Sequence, residues 1–201
     1  MSKSKTAQTP SVRKLAVTGM LGAVATVLMF ISFSVPLMPS FIKLDLSELP
    51  ALIASFALGP LWGVCVCLVK NLVNVFFSTT GGVGELSNFI LGASFVFTAG
   101  MFYKHVGGRK GALIGSLCGA AAMAVISVFS NYYVVYPVYT AFMPLETILS
   151  MYRAINPSVE TLWDALIWFN MPFTFLKGMC SVVITFLIYK KISPLLKGKS
   201  M

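Results

Sequence analysis

Asn170, Thr174 and Lys177 are polar side chains near the middle of a largely apolar run between Leu162 and Tyr189. At 100° per residue they fall within an arc of about 60° on a helix, so one face carries an amide, a hydroxyl and an ammonium group. An amide presents a donor beside an acceptor, which matches an O=C–N–H edge, and an ammonium donates to a carbonyl or ring nitrogen. Other polar groups also fall in apolar segments: Lys70, Asn71, Asn74, Glu85, Asn88 and Asn131. Aromatic residues are dense around them, among them Tyr132, Tyr136, Trp163, Trp168 and Phe173. These types suit non-covalent recognition of a planar heterocycle, stacked on rings and held at its polar edge. Interhelical hydrogen bonding is the plainer use of each asparagine. Lys177 stands apart, because no span contains an acid deep enough to pair with it. A ligand, backbone carbonyls or water are its expected partners, and ionisable residues within spans are functional candidates by default.

Bond-making chemistry is poorly supplied. His105 is the only histidine and sits among basic residues. Gly107 to Gly111 lacks the spacing and hydroxyl of a phosphate-binding loop. Asp45 and Glu48 are the one close acid pair, and a helix start explains them, with Asp45 or Ser47 as its cap. Cys65, Cys67, Cys118 and Cys180 all lie in apolar runs, so neither a disulfide framework nor a metal site is expected. The reading is not an enzyme, with no cofactor and no metal.

The elements that position these groups must sit in a bilayer. Of the 201 residues 57% are hydrophobic and only 10% charged, too apolar for a soluble core of this length. Backbone polar groups in lipid must bond internally, so the apolar runs become helices, and no alternating barrel pattern competes. Six spans are expected, near 13–34, 46–58, 60–78, 84–103, 110–136 and 161–190, in one all-α membrane domain covering 1–201. A short surface helix is expected within 145–154. The net charge of +9 is clustered. Lys3, Lys5, Arg13 and Lys14 precede the first span, Lys104, Arg109 and Lys110 share one loop, and Lys190, Lys191, Lys197 and Lys199 follow the last. With six spans all three clusters face the cytoplasm, which argues for a multi-pass cell-membrane protein with both termini cytoplasmic, and against nucleic acid as partner. The acids then fall in outer loops or at outer helix ends, and the polar residues form a cup open to the outside. Gly111, Gly115 and Gly119 suit close packing within the chain. In the first span Thr18, Gly22 and Thr26 form one small-residue row and Gly19 and Ala23 a second, more than one internal contact needs; a partner membrane protein is a candidate there.

The runs F-I-K-L-D-L-S-E-L-P-A-L-I (41–53), G-P-L-W-G-V (59–64), K-N-L (70–72), G-G-V-G-E-L-S-N-F-I-L-G (81–92), N-Y-Y-V-V-Y-P-V-Y (131–139) and P-F-T-F-L-K-G (172–178) resemble, in order, the riboflavin-specific S components (RibU type) of energy-coupling factor transporters. The resemblance implies a six-helix S-component fold and a high-affinity, outward-facing riboflavin pocket capped by the loop between spans one and two. It implies a transmembrane coupling subunit and two ATP-binding-cassette ATPases as partners, with the small-residue face of the first span as the docking surface. Riboflavin is then the transported substrate, and transport involves tilting in the membrane. By the same resemblance Asn131 and Lys177 contact the ring edge. The family often has asparagine where this chain has Thr174, and Asn170 one turn earlier is placed to compensate. Leu44, Asp45, Glu48, Gly84, Glu85, Leu86 and Asn88 are further candidates, for the ribityl chain. Another planar vitamin, FMN, or an assembly role without a ligand stay open.

Overall fold

The computed structural model describes residues 12–197 except 37, 40, 41, 79, 80 and 142, with side chains described as far as 188. Lys3, Lys5 and Lys199, and the side chains of Lys190, Lys191 and Lys197, lie outside the described residues.

Helix α1 (Val12–Phe30) ends earlier than the expected 34, because the chain turns into a two-residue strand β1 (Phe33–Ser34) ahead of Pro36. It pairs antiparallel with β2 (Lys43–Leu44), with Phe33 opposite Leu44 and Ser34 opposite Lys43. This small hairpin is the strap between the first two spans. Helices α2 (Glu48–Leu58) and α3 (Pro60–Val75) follow, broken at Gly59. Gly59 has φ +118°, a region that favours glycine, and Pro60 starts α3 where its missing N–H costs nothing. Helix α4 (Val83–Val106) turns at Gly107, φ +69°, into α5 (Gly108–Ser130).

Helix α5 does not stop at Ser130. It widens into a π segment (Asn131–Val135) and closes as α6 (Tyr136–Tyr139), one continuous apolar helix Gly108–Tyr139. After the amphipathic surface helix α7 (Leu145–Arg153), the last span repeats the device. Helix α8 (Leu162–Ala165) passes through a π segment (Leu166–Asn170) into α9 (Met171–Lys197). A reciprocal capping box starts it: Asp164 N–H donates to Thr161 Oγ1 at 3.3 Å, and Thr161 N–H donates to Asp164 Oδ2 at 2.8 Å.

Among the described residues four helices are long and apolar enough to cross a bilayer: Val12–Phe30, Val83–Val106, Gly108–Tyr139 and Leu162–Ile188. The other two, α2 and α3, are shorter, with lengths of about 17 and 24 Å against a hydrocarbon core of about 30 Å. Of the two, α2 is the inner helix, burying Leu49 to Phe56 without a break, whereas α3 buries one face and leaves Leu61, Leu68 and Leu72 exposed. The glycine row of α5 packs within the chain, as expected. A Cβ on Gly115 or Gly119 would lie 2.6 Å from the carbonyl oxygen of Ala99 or Phe95 on α4, so only glycine permits that approach. Two apolar clusters result, one around Ala51, Val66, Phe95 and Met123, the other near the strap, where α7 inserts Ile148, Leu149 and Tyr152.

The first span divides its small residues. Thr18, Gly22 and Thr26 are buried, and a Cβ on Gly22 would lie 2.8 Å from Val69 Cγ1 of α3. That row is consumed by internal packing. Gly19 and Ala23 are exposed, with Met20 and Val27 beside them.

Candidate ligand site

A cavity of about 160 Å³ opens beneath the strap. Helix α4 contributes Gly84, Ser87, Asn88 and Leu91, four positions on one face at helical spacing. Met123, Asn131, Val135, Tyr136 and Tyr139 come from the fifth span, Asn170, Phe173, Thr174 and Lys177 from the sixth, and Ile42 and Lys43 from the strap. Of the sequence candidates, six therefore converge: Gly84, Asn88, Asn131, Asn170, Thr174 and Lys177.

The two π segments explain why both asparagines reach the cavity. Each segment ends two residues before a proline, Pro137 and Pro172. A proline inside an α-helix lacks its N–H and clashes with the carbonyl four residues back. Widening the ladder relieves the clash: Tyr136 N–H donates to Asn131 O and Met171 N–H to Leu166 O, each five residues back. Asn131 opens one wide turn and Asn170 closes the other. The extra residue per turn re-aims the helix face at these two positions, and Asn131 Oδ1 accepts from Ser87 Oγ across the cavity at 3.4 Å.

Asn170 is held in a closed ring of hydrogen bonds. Its amide Nδ2 donates to Tyr136 Oη at 3.2 Å, the two tyrosine hydroxyls are 2.5 Å apart, and Tyr152 Oη donates to Asn170 Oδ1 at 3.2 Å. One orientation satisfies all three: Asn170 to Tyr136, Tyr136 to Tyr152, Tyr152 back to Asn170. The surface helix α7, which carries Tyr152, thus fixes a cavity side chain. Asn170 keeps one amide proton and one carbonyl lone pair for other use.

Lys177 is not without an acid. Its Nζ donates to Asp45 Oδ2 at 2.8 Å, and both side chains are almost fully buried. The expectation of a missing partner fails because the strap descends: Asp45 lies between β2 and α2, inside the bundle, not at an outer surface. A second buried ion pair joins Lys70 and Glu48 at 2.7 Å, with both side chains wholly excluded from solvent. Glu48 occupies space left by Gly92, where a Cβ would sit 2.5 Å from Glu48 Oε2. The expected helix cap also takes another form. Ser47 makes no capping bond from its side chain; instead its N–H donates to Asp45 Oδ1 at 2.9 Å, an Asx turn leading into α2. Asp45 precedes the helix. Burial raises the pKa of its carboxyl, but the Lys177 and Lys70 ammonium groups and the Lys177 and Ser47 hydrogen bonds outweigh that and hold it below the usual carboxylate range.

The remaining candidates do not line the cavity. Leu44 lies in the strap, Glu85 accepts a hydrogen bond from Ser78 Oγ at 2.7 Å, and Leu86 is half-exposed on the other side of α4. Asn71 and Asn74 donate to carbonyls of their own helix, Cys67 O at 2.8 Å and Lys70 O at 3.4 Å. The aromatic wall is thinner than expected. Phe173, Tyr136 and Tyr139 are in it, but Trp163 stacks on Tyr132 at 4.4 Å along a separate groove, and Trp168 is exposed. Ser87, Leu91, Met123, Val135, Tyr139, Ile42 and Lys43 were not anticipated. For Ser87 and Leu91 the signal was available, since they share the helical face of Gly84 and Asn88.

Residues 13–189 match the family described as ECF transporter, substrate-specific component. The chain belongs to that family. It is 34% identical over 185 residues to the riboflavin transporter RibU of Staphylococcus aureus (strain TCH60), covering 92% of this chain and 93% of that one. The riboflavin transporter FmnP of Bacillus subtilis (strain 168) is 33% identical over 186 residues, with 91% and 93% covered. A solved S component of a bacterial ECF transporter superposes with a TM-score of 0.73 at 34% identity, covering 92% of this chain and 98% of the other.

Proposed function

We propose that this S component binds riboflavin in the cavity under the strap and delivers it unchanged to an ECF transporter. The observation that carries the reading is the convergence of Asn131, Asn170, Thr174 and Lys177 beside Phe173 and Tyr136. The amides and the ammonium face the O=C–N–H edge of the isoalloxazine, the rings contact its faces, and Asn88 and Gly84 lie toward the ribityl chain. Two relatives bearing the name riboflavin transporter support the choice of substrate. The cavity volume of about 160 Å³ is below the roughly 300–1,000 Å³ typical of ligand pockets. The ring system fills its floor, and Ile42 and Lys43 of the strap move outward to admit the rest.

The partners are a transmembrane coupling subunit and two ATP-binding-cassette ATPases. The exposed Gly19 and Ala23 face of α1 is the docking surface, and both termini are cytoplasmic. The test is a titration of purified protein with riboflavin, followed by quenching of flavin fluorescence. Saturable quenching is expected; none at micromolar flavin would remove the reading. FMN is the second reading, favoured by one observation: Lys43 of the strap lines the cavity, a cation placed to meet a phosphate, while the Lys177 charge is already matched by Asp45. Parallel titrations with riboflavin and FMN rank the two.

A further inference from the structure

Two lysines, two carboxylates, a hydroxyl and a thiol, all buried, form an unbroken chain leading away from the cavity. Lys177 Nζ donates to Asp45 Oδ2 at 2.8 Å. The other carboxylate oxygen, Oδ1, accepts from the N–H of Ser47 at 2.9 Å and from its hydroxyl. Lys70 Nζ donates to Ser47 Oγ at 2.6 Å and to Glu48 Oε1 at 2.7 Å. Cys67 Sγ closes the far end on Glu48 Oε2 at 3.7 Å. Of these residues only Lys177 lines the cavity. Lys70, Ser47 and Glu48 are fully excluded from solvent.

Proton counting gives the chain a direction. A hydroxyl has one proton, and an ammonium can only donate. Ser47 Oγ accepts from Lys70, so its own proton goes to Asp45. Asp45 is then pinned on one oxygen by the Ser47 N–H and O–H, and its second oxygen sets where the Lys177 ammonium rests. Lys177 spends one of its three N–H bonds this way and keeps two for the cavity. The two lysines and two acids sum to zero charge. A neutral set of buried ion pairs adds little stability over apolar side chains of the same size, and in some systems such groups serve to fix one arrangement.

We propose that Lys70 is a positioning residue for the ligand. It acts through Ser47 and Asp45 to hold the Lys177 ammonium, and it touches no ligand itself. The inference rests on the flavin-binding reading above. The competing possibility is that Lys70 only neutralises Glu48. Two variants separate them. Ser47→Ala cuts the link and leaves both ion pairs and all charges in place. Lys70→Met with Glu48→Gln removes the far pair without stranding a charge. Each is measured by riboflavin fluorescence titration, by the absorption spectrum of the bound flavin, and by thermal unfolding. Expected for Ser47→Ala is a rise in Kd of about fivefold or more, with the bound-flavin spectrum displaced in the direction that Lys177→Met displaces it. Added to Lys177→Met, Ser47→Ala should weaken binding no further, because coupled sites are not additive. A wild-type Kd and spectrum in both variants overturns the inference, as does a loss that adds fully to that of Lys177→Met. If Lys70→Met with Glu48→Gln does not fold, Lys70→Arg decides in its place: it keeps the charge beside Glu48 but moves the donor to Ser47, so a raised Kd supports the inference and a wild-type Kd and spectrum overturns it. If the unaltered protein binds no flavin, the functional reading falls and takes this inference with it. Flavin binding that is indifferent to both variants removes only this inference.

Discussion

Lys177→Met separates binding from folding when it is made together with Asp45→Asn. The ammonium lines the cavity and is 2.8 Å from Asp45 Oδ2. A hydrogen bond from a charged donor contributes about 1.5–3 kcal/mol, so losing it to the flavin raises Kd by about 10- to 150-fold. The same change strands Asp45. Breaking a buried ion pair from one side costs about 3–5 kcal/mol. Asp45 keeps both bonds from Ser47 and the nearby Lys70 charge, so the lower end, about 3 kcal/mol, is expected. In a chain of this size that lowers the thermal midpoint by about 6–12 °C. Adding Asp45→Asn replaces the pair by neutral groups of nearly the same volume, and most of the lost stability returns. The Kd does not return, because the donor to the ligand is still gone. Fluorescence quenching reads the Kd and thermal unfolding in detergent reads the midpoint, on all three proteins. An unchanged Kd for Lys177→Met refutes the site. A Kd that recovers along with the midpoint in the double variant shows that the loss was a folding effect.

Thr174→Asn places an amide where the cavity now has one hydroxyl, and riboflavin should bind about fivefold more tightly for one added hydrogen bond of about 1 kcal/mol; calorimetric titration checks this, and weaker binding counts against a ring edge at that position. Tyr152→Phe opens the Asn170–Tyr136–Tyr152 ring and leaves a buried donor and acceptor without partners, so unfolding should come earlier by about 1–3 kcal/mol, visible as a lower midpoint. Gly92→Ala drives a methyl against the Glu48 carboxylate and should destabilise by about 1–3 kcal/mol, read the same way. Ala23→Leu, on the exposed face of α1, should leave riboflavin affinity intact while reducing co-purification with the coupling subunit and ATPases; full recovery of the complex would move the docking surface elsewhere.

The helices were legible because a chain this apolar leaves so few options. An apolar run in a bilayer must be a helix, and Gly59-Pro60 and Gly107-Gly108 mark breaks that no other chemistry explains. The single-helix part of the site was legible for the same reason: Asn170, Thr174 and Lys177 share a face by angle alone. Their meeting with Asn131 and Asn88 on other helices was read from the depth of each along its span and from a resemblance in motifs, not from any period in the sequence. Element edges moved where local geometry overrode hydropathy, as at Phe33, which is apolar enough for α1 but pairs with Leu44 in the strap.

What stayed hidden has two physical causes. Pro137 and Pro172 were visible, and a proline within a helix demands a local change, but whether the helix kinks, breaks or widens depends on neighbours. Here both helices widen, and the wide turns end up carrying the two asparagines of the cavity. The ion pairs were hidden by distance: Asp45 and Lys177 are 132 residues apart, and depth assigned along a span says nothing of a strap that folds inward. An acid placed in a loop by hydropathy was read as an outer acid. The correction also changes what the lysine is for. A lone ammonium at mid-membrane would need the ligand to complete it, and the empty site would carry an uncompensated charge. Paired with Asp45, Lys177 is already held in place without a ligand, so a flavin bound as proposed would meet a donor whose position costs it no ordering.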